Sequence, residues 1–350
     1  VHFRYKLAKG AVNAIFNFDE AFRDYKNAFP ADPYKGRSKT IDVYGNFDLS
    51  EMFQLLAGVD YRHQKSIDEN ATPKNPTMNM VSPYASLHLR NAGGFFMEVG
   101  TRYNHHSKFG SHTTFSVNPG YTLNSNVKVF ANISSAFKAP ALSSLYGQWG
   151  ANPDLKPERS STFEGGVQAS LFANRFNFRA VGFARNTKDV IIYGPSFTMI
   201  NLDDQKDHGF EIEPTVKFNE KIRLALHYAY VNGEVHTVKE GKDTSYANLI
   251  RKPKHSTGFT GSYQITPRLF FSTSVFTYSS RTDVDFNSFP SEEVTMKGYA
   301  VWNAFAEYGL FSNKLKLFFD VKNITNTKYE EVWGYSALGV NFMGGLSVKF

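Results

Sequence analysis

Three histidines form the densest group of potential metal ligands in this sequence. His105 and His106 are adjacent, and His112 follows shortly after them. Imidazole nitrogens bind zinc and haem iron, but such a site needs further ligands at a recognisable spacing, and the surrounding sequence supplies none. We therefore predict no metal site here and assign the histidines to a short connection.

An acidic group, Asp203, Asp204 and Asp207, is the second candidate for ion binding. Carboxylates suit calcium, but the group lacks the glycine-punctuated spacing of a dedicated calcium loop, so a solvated loop is the preferred interpretation. The sequence also contains no Gly-x-Ser-x-Gly elbow, phosphate-binding loop or His-Glu-x-x-His motif. The sequence accordingly predicts neither an enzyme nor a cofactor.

Two aromatic residues are candidates for ligand binding. Tyr146 and Trp149 fall in a long connection expected at about 138–159. Binding residues concentrate on loops, and these rings could stack on a flat, partly apolar ligand. The rings could equally anchor the loop or join the aromatic girdle of a membrane protein. Both interpretations stay open.

The elements that position these residues follow a period of two. From Lys221 to Val231 one face carries aliphatic and aromatic residues, and the other carries Arg223 and His227. The segments near 315–322 and 342–350 alternate in the same way. Many such segments of about ten residues, with aromatics near their ends, favour a β-barrel in lipid over a soluble sandwich.

The connections alternate in length along the chain. Short polar turns are expected at 91–94, 124–126, 173–174, 219–220, 266–267 and 312–313. Long connections are expected at about 63–77, 138–159, 187–207, 233–252, 281–297 and 327–339. Bacterial outer-membrane barrels have short periplasmic turns and long extracellular loops, so this pattern predicts about 17 antiparallel strands, the first at roughly 2–9. Since 17 is odd and such barrels have even counts, we expect further strands upstream.

Composition supports the same class. Aromatic residues make up 16% of the 350 residues, yet the mean hydropathy is −0.38 and there is no cysteine. We find no uncharged apolar run of the ~18 residues that a membrane helix requires. Basic residues exceed acidic ones, 39 to 32, but the two are interspersed, which argues against a nucleic-acid surface.

Two motifs resemble those of the TonB-dependent outer-membrane receptor family. The first is the sequence FKAPAL at 137–142 followed by LYG at 145–147 and NPDLKPE at 152–158. The second, VKNITNTKYE at 321–330 followed by Gly334 and Tyr335, is similar to the family's closing hairpin. Within the family, the segments 137–147, 288–294 and 329–335, together with Trp302, most resemble cobalamin receptors.

The resemblance implies a single domain over 1–350, part of a transmembrane antiparallel β-barrel of 22 strands with an N-terminal plug. We expect the plug and the first strands to be absent from this chain. The implied function is active import of a scarce, large nutrient across the bacterial outer membrane. Cobalamin or another corrinoid is the first-choice ligand, a ferric siderophore or haem is the alternative, and a passive porin-like channel is the alternative of another class.

Two further site residues come from the resemblance alone. Arg251 matches an arginine that contacts the ligand in cobalamin receptors, and its guanidinium suits amide oxygens or phosphate. The competing interpretation is a wall arginine paired with a carboxylate. Phe286 matches an aromatic ligand contact in the next loop. Arg251, Phe286, Tyr146 and Trp149 are thus the expected substrate-binding residues.

The resemblance also implies the partners. These are the cobalamin or iron-chelate ligand, TonB through a region upstream of this chain, and the lipid and lipopolysaccharide of the outer membrane. The protein is expected to be a monomer and to bind no nucleic acid.

Overall fold

Antiparallel strands account for almost all of the described chain. The computed structural model describes residues 1–24, 33–194, 198–236, 249–285, 288 and 292–349, and the backbone of 238–239 and 242–243. The strands are β1 (His2–Leu7), β2 (Gly10–Arg23), β3 (Tyr34–Asp48), β4 (Phe53–Ile67), β5 (Thr77–Ala92), β6 (Phe95–His106), β7 (Gly110–Asn124), β8 (Val127–Lys138), β9 (Glu158–Leu171), β10 (Phe176–Tyr193), β11 (Met199–Lys217), β12 (Ile222–His236), β13 (Val238–Lys239), β14 (Lys242–Asp243), β15 (His255–Gln264), β16 (Leu269–Tyr278), β17 (Arg281–Asp285), β18 (Glu292–Met296), β19 (Tyr299–Leu310), β20 (Leu315–Lys322), β21 (Glu330–Val332), β22 (Tyr335–Ser336) and β23 (Asn341–Val348). The one helix found in these ranges is α1 (Leu142–Tyr146). Within the described residues, no helix is long and apolar enough to cross a membrane.

Seventeen of these strands form one sheet, in which each strand pairs antiparallel with the next sheet strand along the chain. The other strands form three short hairpins, β13–β14, β17–β18 and β21–β22. The prediction of an all-β antiparallel barrel wall with about 17 strands is confirmed. In the part of the chain that the structure describes, β1 and β23 do not pair with each other.

The connections alternate between the two ends of the sheet. One end, here called the turn end, carries the short connections, and the predicted turns at 91–94, 124–126, 173–174, 219–220, 266–267 and 312–313 all lie there. The other end, the loop end, carries the long connections, among them 68–76, 139–157, 279–298 and 323–340. All the long connections therefore meet on one side of the wall.

The expectation of a long connection over 187–207 is wrong. β10 runs to Tyr193 and β11 begins at Met199, and Lys188 lies opposite Asp204 in their ladder. Both strands remain paired over this range, so their polar residues lie on paired strands and not in a loop. The same reason overturns the solvated-loop interpretation of the acidic group 203–207, since that group lies within β11.

The two faces of the sheet differ in polarity because successive side chains point to opposite sides. In β4, Val59 is 47% exposed and Asp60 is 5% exposed. The apolar face also carries Phe16, Ile41, Phe163 and Phe319, all exposed. An apolar face toward lipid and a polar face toward the lumen is the arrangement of a transmembrane barrel.

The polar face is held by bonds that span several strands. Arg102 on β6 donates to Asp60 on β4 at 2.8 Å, and its guanidinium lies 5.1 Å from the ring centre of Tyr84 on β5. The Tyr84 hydroxyl donates to Asp42 on β3 at 2.8 Å. Four neighbouring strands are thus joined by side chains as well as by their ladders, which makes this part of the wall a fixed support for the loop end.

Candidate functional site

A large cavity opens at the loop end of the sheet. Its volume is about 930 Å³, within the range typical of small-molecule sites. The lining comes from the loop ends of β2, β3 and β4, from the 139–157 connection (here the α1 loop) and from the β10–β11 hairpin. The 323–340 connection, here the last loop, completes it. Its aromatic members are Tyr34, Trp149, Tyr193 and Tyr335.

Trp149 is the predicted site residue that lines this cavity. The residue is 51% exposed, and its carbonyl oxygen accepts a hydrogen bond from the Tyr193 hydroxyl at 3.2 Å. The bond ties the α1 loop to the end of β10. An exposed indole on a held backbone can stack on a ligand without first being ordered. Its role in binding stays a prediction.

The α1 loop is packed onto the polar face by a small apolar cluster. Leu142, Leu145 and Leu155 are buried together against Met78 of β5, with Tyr146 partly buried beside them. Leu142 and Leu145 lie three residues apart on α1, so they share one face of this single turn. The cluster therefore fixes the position of the rest of the α1 loop relative to the sheet.

Tyr146 is engaged by the neighbouring hairpin and is not among the residues that line the cavity. The Lys108 ammonium donates to the Tyr146 hydroxyl at 2.8 Å and to the Pro153 carbonyl oxygen at 2.8 Å. It also lies 4.9 Å from the centre of the Tyr146 ring. These contacts fit the loop-anchoring interpretation of Tyr146. Sequence reasoning missed Lys108, because no local spacing connects it to residues 38 and 45 positions further on.

Arg251 lies beside the other long connections and is not among the cavity-lining residues. Its Nε donates to Asp283 Oδ1 at 2.7 Å, and its side chain is 42% exposed. The carboxylate-paired arginine weighed from sequence is therefore present, although the pairing uses only one edge of the guanidinium. Phe286, the remaining predicted contact, lies outside the described residues.

The histidines are engaged with their own hairpin. The His106 side chain, at the end of β6, is buried, and its Nδ1 accepts a hydrogen bond from the Lys108 amide at 3.1 Å. The His112 ring stacks on Phe137 with centroids 4.2 Å apart. Among the described residues, no group of three or more His, Cys, Asp or Glu side chains could hold a metal ion.

Comparison with solved structures shows the same fold. A mutant of the ferric enterobactin receptor PfeA from Pseudomonas aeruginosa matches with a TM-score of 0.78 at 17% identity, covering 99% of this chain and 60% of that one. The siderophore receptor PirA from Acinetobacter baumannii matches with a TM-score of 0.76 at 16% identity, over 100% and 61% of the two chains. The FrpB iron transporter from Neisseria meningitidis matches with a TM-score of 0.73 at 17% identity, over 96% and 59%. This chain therefore spans about 60% of the length of these structures.

The family assignment rests on a match along nearly the whole sequence. The family model described as TonB dependent receptor-like, beta-barrel matches residues 2–324. The match contains the strands that carry the cavity and both ends of the α1 loop. The family comprises transport receptors and not enzymes. The chain belongs to the TonB-dependent receptor-like β-barrel family.

Proposed function

We propose that the protein carrying this chain is an outer-membrane receptor that captures a ferric siderophore and imports it with energy from TonB. The observation that carries this proposal is the aromatic-lined cavity of about 930 Å³ at the loop end. The structural relatives named as siderophore receptors and as an iron transporter support an iron chelate. They give no support to cobalamin, so the iron chelate replaces it as the first choice.

The cavity has the chemistry that a ferric tris-catecholate requires. Flat aromatic arms of the ligand can stack on Trp149, Tyr193 and Tyr335. Arg23, at the loop end of β2, supplies positive charge. Three doubly charged catecholates around Fe³⁺ leave a triply negative complex. The lining has four basic side chains against two acidic ones, a net charge of +2: Arg23, Lys35, Arg37 and Lys65 against Asp19 and Glu20. A net positive, aromatic lining attracts such a ligand and orients its rings.

Equilibrium binding to the full-length protein in detergent tests the ligand class. The probes are a ferric tris-catecholate siderophore, haem and cyanocobalamin, each titrated by calorimetry. Tight binding of the ferric siderophore, displaced by neither competitor, is the expected result. Preferential binding of cyanocobalamin would overturn the proposal, and binding of none of the three would favour a passive channel.

We expect Trp149→Ala to weaken siderophore binding about tenfold, because one ring–ligand stacking contact in a well-packed site is worth roughly 1–2 kcal/mol. The matched control is Trp302→Ala on β19, whose indole is 45% exposed on the apolar face and is not among the residues lining the cavity. The same calorimetric titration measures both variants. Equal affinities in the two variants would remove Trp149 from the site.

Lipopolysaccharide is the proposed partner of the apolar face of the sheet near its loop end. Arg37 and Lys65 lie opposite each other there, with Lys39 one row below and the apolar Ile41 under it. Glu20 pairs with Arg37 at 2.5 Å and with Lys35 at 3.3 Å, and Lys65 also lines the cavity, so Lys39 is the cation proposed for phosphate groups at the lipid surface. Cations directly above an apolar band suit a negatively charged lipid headgroup.

A further inference from the structure

Asp283 is the point at which three separate connections meet. Its carboxylate is fully buried in the β17–β18 hairpin. Oδ1 accepts from Arg251 Nε at 2.7 Å and from its neighbour's amide, Val284 N, at 2.8 Å. Oδ2 accepts from the Trp333 amide at 2.8 Å. One side chain thus links the segment before β15, the β17–β18 hairpin and the last loop.

The three donors are what allow this carboxylate to be buried. A carboxylate removed from water is strongly unfavourable unless charge and hydrogen bonds compensate it. The Arg251 guanidinium supplies the charge, and the two amides occupy further lone pairs. Removing any one donor leaves a buried anion partly unpaired, so the positions of the three connections depend on one another.

The backbone of Arg251 is fixed by the same hairpin. Its amide donates to the Thr282 carbonyl oxygen at 2.7 Å, and its φ of 63° lies in the left-handed region. A non-glycine residue keeps this conformation only where surrounding contacts hold it. Contacts within the protein therefore fix both the backbone conformation of Arg251 and the orientation of its Nε edge.

Among the described residues, the other edge of the Arg251 guanidinium has no hydrogen-bond partner. In the described part of the chain, Arg251 makes one side-chain hydrogen bond, through Nε, so its two Nη groups have no protein partner. The half-exposed side chain brings them to solvent among the long connections. Two parallel N–H groups held in one plane form the geometry that binds anionic oxygens in a bidentate manner.

We propose that Asp283 is a positioning residue that holds Arg251 so that its free Nη groups select a negatively charged iron chelate. The inference rests on the proposed function and deepens it, because it adds a charge-selecting arginine outside the cavity lining. Asp283 joins this arginine to the last loop through Trp333, and the same loop contributes Tyr335 to the cavity. A ferric tris-catecholate carries three negative charges, whereas a ferric tris-hydroxamate is uncharged. Arg251 discriminates between them only when Asp283 orients it.

The test is a double-mutant cycle in the full-length protein, with both chelates titrated by calorimetry. Arg251→Ala and Asp283→Asn are each expected to lower affinity for the ferric tris-catecholate about tenfold, the effect of one charge-assisted hydrogen bond. The double variant is expected to bind as Arg251→Ala does, because Asp283 acts through Arg251. Affinity for the ferric tris-hydroxamate is expected to change less than about twofold in all three.

The matched control is Asp207→Asn on β11. Asp207 is also fully buried and pairs with a half-exposed arginine, Arg185, at 2.5 Å, but it lies in the wall. The Asp207→Asn variant is expected to lower thermal stability and leave both affinities unchanged.

Additive losses of affinity in the cycle, or equal losses for the two chelates, would show that Asp283 is only structural. If the parent binds neither chelate, the proposed function itself fails, whereas binding without coupling overturns the Asp283 proposal alone.

Discussion

Leu145→Ala is expected to lower affinity for a ferric siderophore at least tenfold while the sheet remains folded. Leu145 is buried at the centre of the cluster that holds the α1 loop on Met78. Removing most of a buried leucine side chain destabilises its surroundings by about 2–5 kcal/mol. Since this cluster joins the α1 loop to β5, the loss falls on the docking of the loop and therefore on the placement of Trp149.

Two measurements separate loop undocking from unfolding. Calorimetry gives the affinity, and limited proteolysis followed by mass spectrometry gives the rate of cleavage within the α1 loop, which is expected to rise. Val181→Ala is the control, because Val181 is also buried but lies on β10 in the wall. A Leu145→Ala protein with parental affinity and parental cleavage would show that the cluster does not hold the loop.

Gly166→Val is expected to have the largest effect on the stability of the sheet. A Cβ at Gly166 would lie 2.6 Å from the Phe130 ring on β8 and 2.7 Å from the Ala180 carbonyl oxygen on β10. The ring can turn away, but the carbonyl belongs to the ladder and cannot move without breaking it. We expect a loss of about 3 kcal/mol, at the upper end of the overpacking range.

The neighbouring glycine provides the control. Gly165 lies on the opposite face of β9, where an added Cβ meets nothing within 4 Å. Gly165→Val is expected to fold as the parent does, since it adds an apolar group to the apolar face. Urea unfolding in detergent, followed by the loss of heat-modifiable mobility in gels, compares the two. Equal destabilisation of the two variants would show that the contact with the Ala180 carbonyl oxygen does not govern this position.

The sequence predicted the features that depend on local patterns. Alternation located the strands, and polar dipeptides such as Asn219-Glu220 located the turns, because both signals lie within a few neighbouring residues. The end of β10 was misplaced, since Lys188 is polar and the strand continues through pairing with distant residues, Asp204 on β11 and Arg159 on β9. Polarity alone does not distinguish a loop from a strand that extends beyond the lipid.

The contacts that build the candidate site come from distant parts of the chain. Asp283 receives its donors from residues 32 and 50 positions away. No spacing rule connects such residues, so the sequence indicated Arg251 but not the carboxylate that orients it. The residue type and the position in a long connection indicated Trp149 as a candidate. The cavity that it lines can be recognised only in the folded structure.

The support of the α1 loop limits how this receptor can be re-engineered. The loop carries its own leucines, but the residues that fix it lie elsewhere: Met78 on β5, Lys108 in the β6–β7 hairpin, and Tyr193 and Asn201 in the β10–β11 hairpin. Transplanting residues 139–157 into another barrel would move the proposed binding surface without these supports. A chimaera that keeps the position of the loop therefore needs these residues transferred with it, as one unit drawn from four stretches of sequence.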